Sequence, residues 1–426
     1  MTPSSFPIQR RAFIGTLAAG AFAAAASRVQ AAAAPRKKIA LLGTVVFKHS
    51  HAQHFIDRFA AGYGWQGEWR KSGVDLVSLY IDQFPDTGDL ARNRADRYRI
   101  PIYPTLRQAL CLGGDRLAVD GVVIIGEHGN YPKNDRGQTL YPRHAWFKEV
   151  VKVFEDSGRA VPVFNDKHLS TDWAKCVEMV DDAKRLKFPF LAGSSLPVTW
   201  RLPAIDIPLG TPMTESVCAC YGGVDSYDFH GLETAQCMSE RRRGGESGIS
   251  SVHALKGAKV WEMMDQRPLT RRLLASALSR SHTLPVEEGF PTASVSYEWA
   301  RQVFPDPIAY FIEHRDGFRT SMFLLPIRDF NYAGYRSDTD RVIACQMYLP
   351  MPGSSSTTAD FFNPLVHHIE EMVIRGQAPY PVERTLLTSG MTLAAVESLH
   401  RGQVKVETPE MAVRYRSTKV STYWRD

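Results

Sequence analysis

The chain has 426 residues, 44% of them hydrophobic and 23% charged, values of a folded protein and too apolar for a disordered one. Lys and Arg number 51 against 45 Asp and Glu, and the densest basic run is Arg241-Arg242-Arg243, which argues against nucleic acid as a partner. Six cysteines without a CxxC pair argue against a disulfide scaffold and a zinc ribbon.

The N-terminal segment reads as an export signal. Gln9-Arg10-Arg11-Ala12-Phe13-Ile14 sets a twin arginine before an Ala- and Gly-rich stretch reaching about Ala26, and Val29-Gln30-Ala31 offers the small residues that a signal peptidase reads. The stretch is too short and too weakly apolar to span a bilayer, which takes roughly 20 residues, and no cysteine follows it to carry a lipid. A retained Ala-rich helix is the alternative. The expectation is a signal peptide over residues 1–31, passage through the twin-arginine (Tat) export machinery in the folded state, no membrane anchor, and a periplasmic or secreted protein of net charge +3.

From Lys37 onward strands and helices alternate. Lys37–Gly43 and Val74–Tyr80 read as buried parallel strands, the second closed by Asp82. The run Pro101–Tyr103 is short, Val119–Ile125 is the most continuous strand, and Val161–Phe164 and Pro189–Gly193 complete the series. Helices are expected near 50–63, 89–98, 106–112, 145–157 and 171–187, with a loop from Gly126 to Pro142. This rhythm predicts an α/β Rossmann-like domain with a parallel sheet over residues 36–197. Beyond Pro197, strands are expected at Thr214–Tyr221, Val252–Val260, Thr292–Trp299, Ile308–His314, Phe318–Leu325 and Arg341–Tyr348. Helices near 229–242, 365–375 and 386–400 accompany them. The prediction is an α+β substrate and oligomerisation domain over residues 198–420 with a mostly antiparallel sheet, whose open face suits a homo-oligomer. Cys218 and Cys220 flank Ala219 and so share one strand face, Ser354–Thr358 is a polar loop, and the arginine triplet is a solvated helix end.

The run Val161-Pro162-Val163-Phe164-Asn165-Asp166-Lys167-His168-Leu169, followed by a long helix and the strand Phe190-Leu191-Ala192-Gly193, resembles the Gfo/Idh/MocA oxidoreductase family. That family carries Glu-Lys-Pro where Asp166-Lys167-His168 stands. The segment from His367-His368 through Gly376, Pro381-Val382, Glu397-Ser398 and Arg401-Gly402 to Val406 is similar to the family's closing segment. The resemblance spans about Lys38 to Val406 and rests on order and spacing. It implies that Lys167 works beside a nicotinamide and the substrate. It also implies that His230 is the catalytic histidine, with Ser226 and Glu233 at the positions of flanking acids and Asp228 as an extra acid.

A dinucleotide fold needs three glycines after its first strand, for the turn, for close approach of the pyrophosphate and for helix–strand packing. In Gly43-Thr44-Val45-Val46-Phe47-Lys48-His49-Ser50-His51-Ala52 only Gly43 is kept, and His51-Ala52 matches a family pair. Val45 stands where the phosphates approach backbone, while the Lys48 ammonium offers a phosphate contact. Asp82 suits an adenosine ribose and favours NAD over NADP; a strand-end acid in a turn is the alternative. The expected cofactor is NAD (or NADP), held by Gly43, Lys48, His51, Asp82 and Glu127, the alternative being a turn that binds no dinucleotide.

In open α/β sheets ligands sit at the carboxyl ends of the strands, and those ends carry His49, His51, Asp82, Glu127, His128, Asp166, Lys167, His168, Ser194 and Ser195. The expected catalytic set is Lys167, tuned between Asp166 and His168, with His230 and Asp166. The expected substrate contacts are His128, His168 and Asp228. The loop Gly126–Pro142, with Tyr131, Lys133, Asn134 and Arg136, suits a carbohydrate or sugar acid. Each has a plainer alternative: an ion-paired lysine, a capping Asp228 beside a packed histidine, a surface loop. His49, His51, His128, His168 and His230 raise the question of a metal, but their spacing matches no zinc pattern and none is assigned. The expected function is an exported oxidoreductase on a sugar or sugar derivative. The alternatives are a cofactor-free or metal-using lyase, isomerase or hydrolase on the same fold, and a non-catalytic carbohydrate-binding protein.

Overall fold

β1 (Lys38–Val45) is apolar on both faces and therefore sits in the middle of a sheet covered on both sides. The computed structural model describes residues 35–285, 295–350 and 358–424, and from Arg36 onward the chain forms one unit. The export signal expected over residues 1–31 and most of the polar loop Ser354–Thr358 lie outside the described residues.

After β1 come α1 (His51–Ala61), a hairpin β2 (Tyr63–Trp65) and β3 (Glu68–Arg70), β4 (Asp75–Gln83), α2 (Ala91–Tyr98), β5 (Ile102–Tyr103) and α3 (Leu106–Cys111). Then follow β6 (Gly121–Ile125), α4 (Arg143–Ser157), β7 (Val163–Asp166), α5 (Trp173–Leu186) and β8 (Phe190–Gly193). The six longer-range strands form a parallel sheet in the order β5-β4-β1-β6-β7-β8. Ile39 and Leu41 face the side covered by Phe55, Ile56 and Phe59 of α1. Ala40 and Leu42 face the side covered by Phe147, Val150 and Met179 of α4 and α5. This is the expected Rossmann-like architecture. The hairpin β2–β3 was not expected, because three-residue strands around Gly64 and Gly67 carry no readable alternation.

The second half contains β9 (Arg201–Leu202), β10 (Met213–Tyr221), α6 (Asp228–Ser239), β11 (Ile249–Lys256), α7 (Ala258–Asp265), α8 (Pro268–Leu278) and α9 (Tyr297–Val303). It continues with β12 (Ile308–His314), β13 (Arg319–Leu325), β14 (Phe330–Arg336), β15 (Arg341–Met347), α10 (Phe362–Arg375), α11 (Glu383–His400) and β16 (Val406–Glu407). Its eight-stranded sheet runs β16-β11-β12-β13-β10-β14-β15-β9, antiparallel except for the parallel β10–β13 pair, as a mostly antiparallel sheet was expected to be. Cys218 and Cys220 do share one face, with Ala219 on the other.

Several expectations are corrected here. The strand expected over Val252–Val260 ends at Lys256, because Gly257 (φ 62°) turns the chain into α7. The described part of the strand expected over Thr292–Trp299 opens a helix instead, capped by Ser296, whose side chain accepts from the Trp299 amide. The sheet face expected to be open is covered by α7, α8 and α9: Val217, Ala219, Phe323 and Leu325 pack on Trp261, Leu274 and Phe304. The arginine triplet is not a solvated end either. Arg242 is buried on Glu246 (3.0 and 3.1 Å) and Asp316 (2.8 Å), Arg241 donates to the Ile207 carbonyl, and of the three only Arg243 is exposed. Among the described residues no helix is long and apolar enough to cross a membrane.

Candidate active site

The carboxyl ends of β6, β7 and β8 meet the first turns of α6. Lys167, directly after β7, takes up a left-handed backbone (φ 68°), a strained conformation for a lysine, and its amide donates to the Gly193 carbonyl at 3.0 Å. The turn carries the buried ammonium onto His230 Nε2 at 2.7 Å. His230 Nδ1 lies 2.9 Å from Ser194 Oγ, and that hydroxyl contacts Glu233 Oε2 one helical turn further on. Ser194 also gives its amide to Glu233 Oε1 at 3.1 Å. Burial first, then Lys167 and His51, hold His230 well below the usual imidazole range. A neutral His230 therefore accepts from Lys167 and donates to Ser194, which donates to Glu233. Burial pushes the Glu233 carboxyl up to about 7 against the pull of the Ser194 hydrogen bonds. Gly193 is obligatory: its φ is 119°, and a Cβ there would collide with Glu233 Oε1. The result is a chain of four groups, Lys167–His230–Ser194–Glu233, whose last member changes charge near neutral pH.

On the open side of Lys167 stands Glu127, which ends the turn after β6. Its Oε1 is 3.8 Å from Lys167 Nζ and its Oε2 is 2.6 Å from Arg143 Nη2. Burial opposes its ionisation, but Lys167 and Arg143 outweigh that and hold Glu127 below the usual carboxylate range. Arg143 Nη1 reaches His168 Nε2 at 3.0 Å, and His168 Nδ1 donates to the Ser170 carbonyl at 3.1 Å. Burial, then Arg143, lowers His168 to about 3, so it is neutral. Asp225 lies 3.8 Å from His168 Nε2 and accepts from Gln138 at 3.1 Å; burial raises its carboxyl to about 6. Lys167, Glu127, Arg143, His168 and Asp225, with Lys133, Thr139 and Tyr141 from the 126–142 loop, line a cavity of about 240 Å³.

The structure thus joins Lys167 and His230, and puts His168 in the cavity that Lys167 lines. Five residues have other neighbours than expected. Asp166 does not flank the Lys167 ammonium: it shares the β7 face of Phe164, covered by α1, and its Oδ2 binds His51 Nδ1 at 2.7 Å. His51, expected at a cofactor, has its Nδ1 engaged by Asp166. Asp228 is fully buried at the first residue of α6 and ties down the turn that precedes it. Its oxygens accept from the amides of Asp225, Ser226 and Phe229 (2.9, 2.9 and 2.8 Å) and from the Tyr310 hydroxyl (2.9 Å), leaving no lone pair for a substrate. His128 sits against the rings of Phe47 and His51, each 5.3 Å away, outside the cavity lining. Glu127, expected at a cofactor, belongs to the Lys167 cluster. Arg143 and Asp225 went unrecognised. Arg143 had a signal: it opens α4, where a cation opposes the helix dipole, and such a local conflict marks an ion pair or a ligand.

At the dinucleotide edge, Gly43 keeps its purpose, since a Cβ there would lie 3.2 Å from Ile81 and 3.4 Å from Ala52. Lys48 is exposed at the turn, whereas Val45 is buried and extends β1 two residues past Gly43 to pair with Gln83. α1 starts only at His51. Its cap, Ser50, accepts from the amides of Phe47 (3.1 Å) and Gln53 (3.3 Å), and Gln53 Oε1 accepts from the His49 amide (2.7 Å). Thr44 Oγ1 donates to the Glu127 carbonyl across the β1–β6 gap. Asp82 accepts from Tyr80 (2.8 Å) and Tyr131 (2.6 Å). Gly43 and Asp82 lie near the carboxyl ends of the adjacent strands β1 and β4, and Lys48 lies in the turn between β1 and α1. In the turn that would face a dinucleotide's pyrophosphate, the amides of Phe47, His49, Ser50 and Gln53 are engaged within the chain.

No protein-family model matches the chain, and no curated protein does. Solved structures do. GenD2 from gentamicin A biosynthesis, in complex with NAD, matches with a TM-score of 0.52 at 15% identity over 87% of this chain and 96% of its own. Myo-inositol dehydrogenase from Lactobacillus casei, in complex with NAD(H) and myo-inositol, matches with a TM-score of 0.53 at 10% identity over 88% and 97%. A myo-inositol dehydrogenase from Corynebacterium glutamicum gives 0.52 at 14% identity over 88% and 99%. The chain shares the overall fold of these structures. On that fold the four-group chain lies where the parallel sheet meets α6, at the carboxyl ends of β7 and β8.

Proposed function

We propose that this protein is an exported oxidoreductase acting on a sugar or polyol hydroxyl. The observation that carries the reading is the chain Lys167–His230–Ser194–Glu233 beside a small polar cavity. It is supported by a fold shared with structures that hold NAD(H) and myo-inositol. A substrate hydroxyl against Lys167 Nζ gives its proton to the lysine as the lysine passes one to His230 Nε2. His230 Nδ1 hands its proton to Ser194, and Ser194 hands its own to the Glu233 carboxylate. Glu127, Arg143, His168 and Asp225 orient the remaining hydroxyls. A nicotinamide dinucleotide, when bound, supplies the hydride acceptor; Gly43, Lys48 and Asp82 would hold it.

The engaged amides at the start of α1 favour a second reading, acid–base isomerisation or elimination of a sugar without a nicotinamide. One assay separates the two: protein, NAD⁺ or NADP⁺, and a panel of monosaccharides, polyols and sugar acids. The first reading predicts nicotinamide reduction that depends on the sugar. Sugar conversion seen by NMR with no nicotinamide reduced selects the second, and no conversion at all contradicts both. Export is part of the proposal and rests on Arg10-Arg11 and the apolar stretch behind them. Changing both arginines to lysine is expected to keep the protein inside the cell, as read by fractionation; unchanged export contradicts the assignment.

A further inference from the structure

The charged groups in the cavity wall do not balance. Lys133, Arg143 and Lys167 face Glu127 and Asp225, and both acids already have partners: Glu127 bridges Lys167 and Arg143, and Asp225 accepts from Gln138. His168, neutral at physiological pH, adds no charge. Two donors on the cation side are left over. Arg143 lines the cavity, and Glu127 and His168 take only one N–H each from its two terminal nitrogens, which leaves guanidinium donors over. Lys133 reaches the same wall from the 126–142 loop, and its ammonium has no ion-pair or hydrogen-bond partner among the described residues. A neutral polyol answers neither donor with a charge.

We infer that the cavity is built for a monosaccharide carrying a carboxylate, a sugar acid of the aldonate or uronate class, with Lys133 and Arg143 as the carboxylate's partners. The inference deepens the proposed chemistry at Lys167 and rests on it for the position of the reacting hydroxyl. At about 240 Å³ the cavity takes one sugar unit. A guanidinium N–H and one lysine, with two acids in the same wall, match a single negative charge better than a phosphomonoester dianion.

The test is calorimetric titration of the full protein with D-glucuronate against D-glucose, D-gluconate against D-glucitol, and D-glucose 6-phosphate as the alternative anion. Each acid is expected to bind at least tenfold more tightly than its neutral counterpart and more tightly than the phosphate. Lys133 is exposed on a loop, so Lys133→Met tests the contact without burdening the core. The variant is expected to lose most of the preference for the acids, read as the ratio of acid to neutral-sugar affinity. The inference is overturned if neutral sugars bind as tightly as acids, if the phosphate binds best, if no ligand binds, or if Lys133→Met keeps the preference. Nicotinamide reduction with neutral polyols and no preference for acids would sink this inference alone and leave the proposed oxidoreductase standing.

Discussion

Lys167→Met is expected to lower kcat on any substrate the wild-type protein turns over by at least about a thousandfold, in the upper part of the range for loss of an acid–base group. Methionine keeps the length of the side chain and its unbranched Cβ in the left-handed turn, so the amide bond to Gly193 survives. It removes the one group that stands both against His230, at 2.7 Å, and in the cavity wall. Glu127 keeps its ion pair with Arg143 at 2.6 Å, so no buried charge is abandoned and the melting temperature is expected to stay within a few degrees. Steady-state kinetics beside a thermal melt checks both halves. Activity within tenfold of wild type in a folded variant contradicts the role given to Lys167.

Glu233→Gln is expected to separate activity from stability. Proton flow from the substrate ends on the Glu233 carboxylate, so the wild-type rate rises with pH through about 7, where this carboxyl ionises. Glutamine accepts a hydrogen bond from Ser194 but takes up no proton, so the rate falls by about a hundredfold and the step near 7 disappears from the pH profile. Stability moves the other way. Burial raises the folded-state value of Glu233 above that of an unfolded glutamate, so the folded protein binds the extra proton. Stability is therefore lost as pH rises from the unfolded glutamate value to about 7 and is flat beyond. Glutamine escapes this loss. The variant is expected to be more stable than wild type at pH 8, by on the order of 3 kcal/mol at most, with the difference fading toward pH 5. Urea unfolding at the two pH values and a pH–rate profile decide it; a variant that is both fully active and no more stable contradicts the account.

The parallel sheet was legible because β1, β6 and β8 hold short, continuously apolar runs, which only a sheet covered on both faces can bury. Lys167 and His230 were both singled out through the family resemblance, and the structure brings them into contact. What stayed hidden was direction. Asp166 and Lys167 are neighbours in sequence, yet strand alternation sends the first toward α1 and a left-handed turn sends the second toward α6. No composition rule announces that turn at a lysine. Asp228 beside His230 looked like a reactive pair, but local amides claim its oxygens. The covering of the second sheet by α7–α9 was missed because Gly257 cuts an otherwise plausible strand.

If a sugar hydroxyl reacts at Lys167, its proton leaves through His230 and Ser194 to Glu233. A crystal structure with D-gluconate or myo-inositol bound is then expected to show a ligand hydroxyl oxygen within hydrogen-bonding distance of Lys167 Nζ, in the cavity lined by Glu127, Arg143 and His168. A ligand seated instead in the larger groove around Trp65, Trp69 and Trp200, with no contact to Lys167, would contradict it.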